Sequence, residues 1–284
     1  MEKGGASQTA IGPAIMRAAH QVIDSNPKIL SDPITVGLLD GASEDQIRTL
    51  EANLQQPVAK VMRSGFVLRS RFAEDRLSEA FKTGTRQCII LGAGLDTFAY
   101  RQPEWAADLR ILEVDHPASQ DFKRDLLVKA GISIPPNVEF RPIDFEQTTL
   151  KEGLAASSLD PELPAFLSWL GVTQYLTQDA IEATLRFVSS LAGGSQIVFT
   201  FVLPDQSVEG DDLLVAQAAA SMGALIGEPW LTRFEAETLR AWLLELGYSD
   251  VFHLTPKLAS ERYFAGRSDG LRAPVLEQLM CASV

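Results

Sequence analysis

The rhythm of apolar and polar positions changes near residue 84 of this 284-residue chain. Before that point apolar residues recur at helical spacing. Segment 11–23 reads as a helix, 43–54 as a helix opened by Ser43 and acidic residues, and 57–81 as a long helix with apolar Val61, Phe66, Leu68, Phe72 and Leu77. Asn26-Pro27 and Asp32-Pro33 break the pattern between the first two. Beyond residue 84, short apolar runs alternate with helical stretches. Strands are expected at 87–92, 110–115, 138–144, 165–170 and 196–203, and helices at 118–130, 178–191 and 235–246. Such alternation predicts a mainly parallel sheet covered by helices. Two late runs, 248–254 and 261–265, with a short link containing Pro256, are expected to close the sheet as an antiparallel hairpin. Segment 205–230 is too long for a simple connection and has an Ala/Leu-rich middle, so it reads as a helical lid over the strand ends.

One junction carries chemistry. Ile89-Ile90-Leu91 runs into Gly92-Ala93-Gly94, and the next apolar run ends in Glu113-Val114-Asp115, just over twenty residues later. Glycines let a backbone approach a ligand closely, and an acid closing the following strand can accept from ribose hydroxyls. Glu113 and Asp115 share one face of their strand, and the pattern leaves open which is structural. Thr97 stands where a dinucleotide fingerprint would place its third glycine. That favours a ligand with a ribose but no diphosphate, of which S-adenosylmethionine is the commonest. Asp96 and Thr97 are read as caps of a helix leaving the turn.

Composition narrows the partners. The formal net charge of −12 argues against nucleic acid or an anionic membrane, since phosphate demands clustered Lys and Arg. The two cysteines, Cys88 and Cys281, provide neither a disulfide framework nor a metal spacing. No apolar run approaches membrane-spanning length, and the first residues lack the apolar block of a signal peptide. The expectation is a soluble, cytoplasmic protein with no metal.

Leu91-Gly92-Ala93-Gly94-Leu95-Asp96-Thr97-Phe98-Ala99-Tyr100-Arg101 resembles the signature of the leucine carboxyl methyltransferase-like family. Glu113-Val114-Asp115-His116-Pro117, Ile143-Asp144-Phe145 and Gly171-Val172-Thr173-Gln174-Tyr175-Leu176-Thr177 support it, and the likeness extends from roughly Arg17 to the C-terminus. The resemblance implies a Rossmann-like class I methyltransferase. Its features would be a seven-stranded, mainly parallel sheet with an antiparallel last pair, an N-terminal helical cap (1–84) and a core (85–284) bearing the lid. It implies S-adenosylmethionine as cofactor and a carboxylate of a small molecule or peptide terminus as methyl acceptor. Gly92, Ala93 and Gly94 would lie against the methionine part and ribose, with Asp115 gripping the ribose diol and His116 beside it. Asp144 and the backbone N–H of Phe145 would take the adenine. Arg69 is similar to the arginine that pairs with the methionine carboxylate, a planar bidentate task suited to guanidinium.

One position departs from the family. Leu170 stands where a glutamate usually faces the cofactor's ammonium. Another acceptor could substitute, donor affinity could be lower, or the chemistry could have changed. Candidate bases are few, because His20, His116 and His253 are the only histidines. Tyr175, Gln174 and His20 are the acceptor-orienting candidates. A carboxylate acceptor, with a pKa of about 4, needs no base at neutral pH, whereas a phenol near ~10 does. Two other classes stay open at this level: a non-catalytic S-adenosylmethionine-binding protein and a nicotinamide-dependent oxidoreductase.

Overall fold

The computed structural model describes residues 10–39, 43–144, 147–225 and 227–284. Seven strands form one sheet: β1 (Gln87–Leu91), β2 (Arg110–Asp115), β3 (Val138–Pro142), β4 (Ala165–Trp169), β5 (Gln196–Val202), β6 (Asp250–Leu254) and β7 (Glu277–Ser283). Their order is β3-β2-β1-β4-β5-β7-β6. The first five pair in parallel, and β7 is antiparallel to both β5 and β6. The chain therefore leaves β1 in one direction for β2 and returns on its other side as β4. A crevice opens at such a reversal, outside the carboxyl ends of the strands.

Helices α1 (Ile11–Ile23), α2 (Thr35–Leu38), α3 (Glu44–Thr49), α4 (Glu51–Leu54) and α5 (Pro57–Lys82) precede the sheet. Next come α6 (Pro117–Lys129), α7 (Leu150–Leu154), α8 (Gln178–Ser189), α9 (Gly210–Leu225), α10 (Ala236–Glu245) and α11 (Pro256–Ala259). Every residue of β1 is buried, because helices cover both faces and successive side chains point to opposite sides. Ile89 and Leu91 join Ile181, Leu185, Leu239 and Leu243 of α8 and α10. Cys88 and Ile90 join Val67, Phe72 and Leu77 of α5 on the other face. A third cluster packs Ala14, Ala18, Leu38 and Ile47 against Leu95, Leu126 and Leu127. The N-terminal helices thus lie over the glycine turn and α6.

Three local expectations are corrected. Residues 261–265 are not a strand: Thr255 Oγ1 accepts from Leu258 N–H, Pro256 sits in the first turn, and α11 runs into a π-helix at Ser260–Phe264. The last strand is instead Glu277–Ser283, whose Gln278 to Ala282 are all buried. The expected helix 43–54 is broken at Leu50 into α3 and α4. No α-helix leaves the glycine turn either. Asp96 Oδ1 accepts from Phe98 N–H at 2.8 Å, but only a single 3-10 turn, Phe98–Tyr100, follows. A second 3-10 turn, Glu104–Asp108, then leads into β2.

The N-terminal layer is fastened by a buried polar knot. His20 Nδ1–H donates to Asp24 Oδ2 (2.8 Å), while Nε2 accepts from Ile29 N–H (3.1 Å). Arg63 grips Asp24 through Nε (2.7 Å) and Nη2 (2.9 Å) and donates from Nη1 to Leu54 O (2.7 Å). The side chains of His20, Asp24 and Arg63 are all solvent-inaccessible. Burial lowers the His20 pKa, outweighing the pull of Asp24. The native state therefore binds fewer protons than the unfolded chain below about pH 6.5, so this contribution to stability is whole above that pH and falls on acidification. Thermal denaturation between pH 7.5 and 5.5 should show a falling Tm, with a slope bounded by about 1.4 kcal/mol per pH unit for one proton. A His20→Gln variant should be less stable throughout and lose this component of the slope; an unchanged slope would assign it elsewhere.

Candidate functional site

The crevice is built from the backbone outward. At the end of β1, Gly92 and Gly94 adopt φ of +64° and +43°, conformations that an L side chain resists. Gly92 and Ala93 donate their N–H groups to Val114 O at 2.8 and 3.1 Å, so β2 holds the start of the turn. Asp115 holds the rest. Its Oδ2 accepts from Gly94 N–H at 2.5 Å and its Oδ1 from His116 N–H at 2.7 Å. Burial pushes the Asp115 carboxyl above its usual range, and these two N–H groups pull against that shift. His116 itself caps α6, its Nδ1 accepting from Ala118 N–H at 3.2 Å ahead of Pro117.

Asp115 and Glu113 have different tasks. Glu113 is fully buried, with Lys123 Nζ 2.7 Å from its Oε2 and Tyr100 Oη donating to the same oxygen at 3.0 Å. It is an internal ion pair beneath the site. Asp144 lies just past β3, whose continuation at Ile143 hydrogen-bonds to Asp115 O (2.9 Å), and its Oδ2 accepts from Gln147 Nε2 at 2.6 Å. Phe145 lies outside the described residues.

Arg17 braces the turn from the opposite side. It is buried in α1, donating from Nη2 to Leu95 O at 2.5 Å and from Nε to Asp32 Oδ2 at 3.1 Å. Asp32 also lies 3.3 Å from Arg101 Nε, and Arg101 in turn forks onto Glu74. Sequence reasoning missed these residues as supports of the turn, because their partners are distant along the chain. A Cβ on Gly94 would come 3.3 Å from that of Ala10, so the start of α1 sits at the mouth of the turn.

At the end of β4, Gly171 has φ +72°, and a Cβ there would fall 2.5 Å from Arg69 Nη1. Arg69 thus reaches the strand end from α5, with its guanidinium 4.8 Å from the Phe66 ring centre and Nη1 donating to Glu277 Oε1 at 2.9 Å. Leu170, half-buried, packs with the cluster under α5. The following 3-10 turn, Thr173–Tyr175, is tied to the chain after α9: Leu231 and Thr232 donate to Gln174 O at 2.6 and 3.3 Å. Burial raises the Tyr175 pKa, against the opposing pull of the neighbouring Trp230 and Gln174 side chains. Gln174 Oε1 is buried without a hydrogen-bond partner. A buried orphan carbonyl is costly, and a donor on a bound ligand would relieve it. His20, by contrast, has both ring nitrogens engaged within the N-terminal knot.

The open glycine turn, the carboxylate at the end of β2 and the lack of an α-helix after the turn form a consistent seat. A diphosphate is favoured by a helix N-terminus, which this crossover does not supply; a ribose needs only the acid and close backbone approach.

The leucine carboxyl methyltransferase family model matches residues 10–189, more than half the chain. The chain belongs to the leucine carboxyl methyltransferase family. A Bacillus subtilis (strain 168) protein named "Putative S-adenosyl-L-methionine-dependent methyltransferase YktD" is 29% identical over 294 residues, covering 96% of each chain. A similarly named Mycobacterium marinum protein is 32% identical over 218 residues, covering 72% of this chain and 70% of its own. Among solved structures, a putative methyltransferase from Thermobifida fusca YX has a TM-score of 0.58 at 18% identity, covering 99% of this chain and 96% of that one. A DUF574 family protein of Streptomyces avermitilis has the same TM-score and identity, over 94% and 96%. The protein is an S-adenosylmethionine-dependent methyltransferase on the class I fold.

The close contact of the glycine turn with β4's extension is testable. A Cβ at Gly92 would sit 2.5 Å from Val172 Cγ2 as well as at positive φ. Gly92→Ala should cost roughly 2–4 kcal/mol in urea unfolding, the sum of left-handed strain and overpacking. Val172→Ala in the same chain should recover the packing part only. Full recovery would show that the backbone conformation is not a constraint.

Proposed function

We propose that this S-adenosylmethionine-dependent methyltransferase places its methyl group on a carboxylate oxygen, of a small molecule or a peptide terminus. In this reading the cofactor lies along Gly92, Ala93 and Gly94 and across the ends of β2, β3 and β4. Each Asp115 oxygen already accepts one backbone N–H and keeps a lone pair for a ribose hydroxyl. Asp144 with the backbone of Phe145 would take the adenine edge, His116 would border the ribose, and Arg69 would meet the methionine carboxylate. The acceptor would lie under segment 205–230, whose return through Leu231 and Thr232 is fastened to Gln174.

When bound, the cofactor supplies an electrophilic methyl on sulfonium sulfur, open to in-line attack by an acceptor oxygen. The chain's part is alignment, which is where most of the acceleration of such a displacement arises. The observation that carries the carboxylate reading is the state of the histidines. His20 is enclosed in the N-terminal knot. His116 uses its Nδ1 lone pair to cap α6, which leaves Nε2 protonated. His253 is on the edge strand β6, with Nε2 against Gln278 Oε1 at 2.6 Å. None offers a free basic nitrogen beside the strand ends. Tyr175 is equally unsuited to be a base, because burial raises its pKa and holds it as a phenol. Its own O–H is free to donate, and a carboxylate oxygen is a natural recipient. An acceptor already ionised at neutral pH fits such a site.

The product decides the matter. After incubation with methyl-labelled cofactor and a panel of acids and phenols, mild alkali should release the label as methanol. An alkali-stable product would overturn the ester reading. Tyr175→Phe should lower kcat/KM roughly 10- to 100-fold, the worth of a hydrogen bond to a charged group, while leaving cofactor affinity unchanged. Asp115→Ala should do the reverse, weakening cofactor binding by roughly 1.5–3 kcal/mol in calorimetry. Unchanged affinity in that variant would remove Asp115 from the site.

A further inference from the structure

Leu170 stands at the end of β4, where the resemblance to the family implies a glutamate facing the cofactor's ammonium, so an alkyl group occupies that place. A primary ammonium carries three donors and one charge, and burying it without an acceptor is costly. The chain around Leu170 offers three carboxylates. Glu277 is bonded to Arg69 at 2.9 Å, and a charge so engaged is neutralised before any ligand arrives. Glu74 is held by both terminal nitrogens of Arg101, Nη1 at 3.0 Å and Nη2 closer still. Asp96 is different. It stands two residues beyond Gly94, half-buried and outside every ion pair among the described residues, and only its Oδ1 is occupied, by Phe98 N–H.

Asp96 also shares a space with Leu170. A cavity of about 20 Å³, the room of roughly one water, lies between Leu170, Ser168, Ser70, Glu74 and Asp96. Core side chains, among them Cys88, Ile90 and Phe166, complete the lining, so Asp96 and Leu170 border one small and mainly apolar space.

We infer that Asp96 takes over the ammonium-binding role lost at position 170, receiving the cofactor's methionyl amino group from the glycine-turn side of the crevice. The inference rests on the reading that seats the cofactor along Gly92–Gly94. It gives Asp96 two roles on its two oxygens: Oδ1 shapes the turn by accepting from Phe98, and Oδ2 is the acceptor for the ligand. Ser168 and Ser70 lie close enough to the same cavity to supply a hydroxyl or hold a bridging water. Leu170 then forms an apolar wall beside the charge pair, and the weaker local dielectric strengthens the attraction.

The test uses the intact protein, titrated calorimetrically with S-adenosylhomocysteine and with its desamino analogue, which keeps the carboxylate and nucleoside but lacks the amino group. Asp96→Asn preserves an acceptor for Phe98 N–H while removing the charge. It should bind S-adenosylhomocysteine at least 10-fold more weakly than the wild type and the desamino analogue within about 2-fold of it. If the amide variant is unstable, Asp96→Ser also keeps an acceptor for that N–H and is expected to give the same split. Equal loss toward both ligands, or no loss toward either, overturns the assignment. A wild-type protein that binds neither ligand would instead overturn the cofactor reading, so the two failures are distinguishable.

Discussion

The site depends on one carboxylate that holds two backbone N–H groups. Asp115 joins Gly94 on the β1 turn to His116 at the start of α6, and so locks the ends of two adjacent strands together. Without that bridge, the positive-φ glycines would have many conformations to choose among, since freedom is what glycine brings to a chain. The bridge on one side is matched by Arg17 on the other, which holds Leu95 O from α1. A turn pinned between a carboxylate and a guanidinium is preorganised before any ligand arrives. Preorganisation lowers the ordering cost that binding otherwise bears.

That bracing explains why so much charge lies inside the N-terminal layer. Arg17, Asp32, Arg101 and Glu74 form a continuous chain of ion pairs from α1 to α5, and His20, Asp24 and Arg63 form a second knot. Buried pairs of this kind give little net stability, because desolvation offsets attraction, yet removing one partner typically costs about 3–5 kcal/mol. Their effect here is orientation. Apolar packing alone would let α1 slide on α5, whereas the hydrogen-bond geometry admits one register. The same logic applies beneath the crevice, where Glu113, Lys123 and Tyr100 fix β2 against α6 and leave Asp115 as the carboxylate at the strand end.

The central parallel strands β1, β4 and β5 were legible in the sequence because burial on both faces makes them mainly apolar, whereas half-buried β3 alternates apolar with charged residues. The glycine turn and its acid were legible because close approach and hydrogen bonding restrict residue types at those positions. The edge of the sheet was not. Residues 261–265 carry Tyr263 and Phe264, which suit a strand, but Thr255 and Pro256 had already started a helix that continues into them. The true last strand begins beyond a long return, and nothing local marks how far a chain must travel to insert between β5 and β6. The missing helix after the turn has a similar cause. Asp96 is a good cap, but Arg101 is drawn away to Glu74, Asp32 and Thr97, and the segment closes as a 3-10 turn.

The leucine at position 170 then reads as part of the same electrostatic arrangement. A glutamate there would share its small cavity with Glu74 and Asp96, and only Glu74 has a cation in hand. Like charges crowded at low dielectric raise one another's pKa until one is protonated, and a protonated acid no longer balances an ammonium. An alkyl side chain keeps a third acid out of that space. The same residue packs into the cluster beneath α5, where Phe72, Leu77 and Ile90 give it apolar neighbours. An alkyl group at this position is thus compatible with the charges around it, because Glu74 is already held by Arg101 while Asp96 keeps one oxygen outside the hydrogen bond to Phe98.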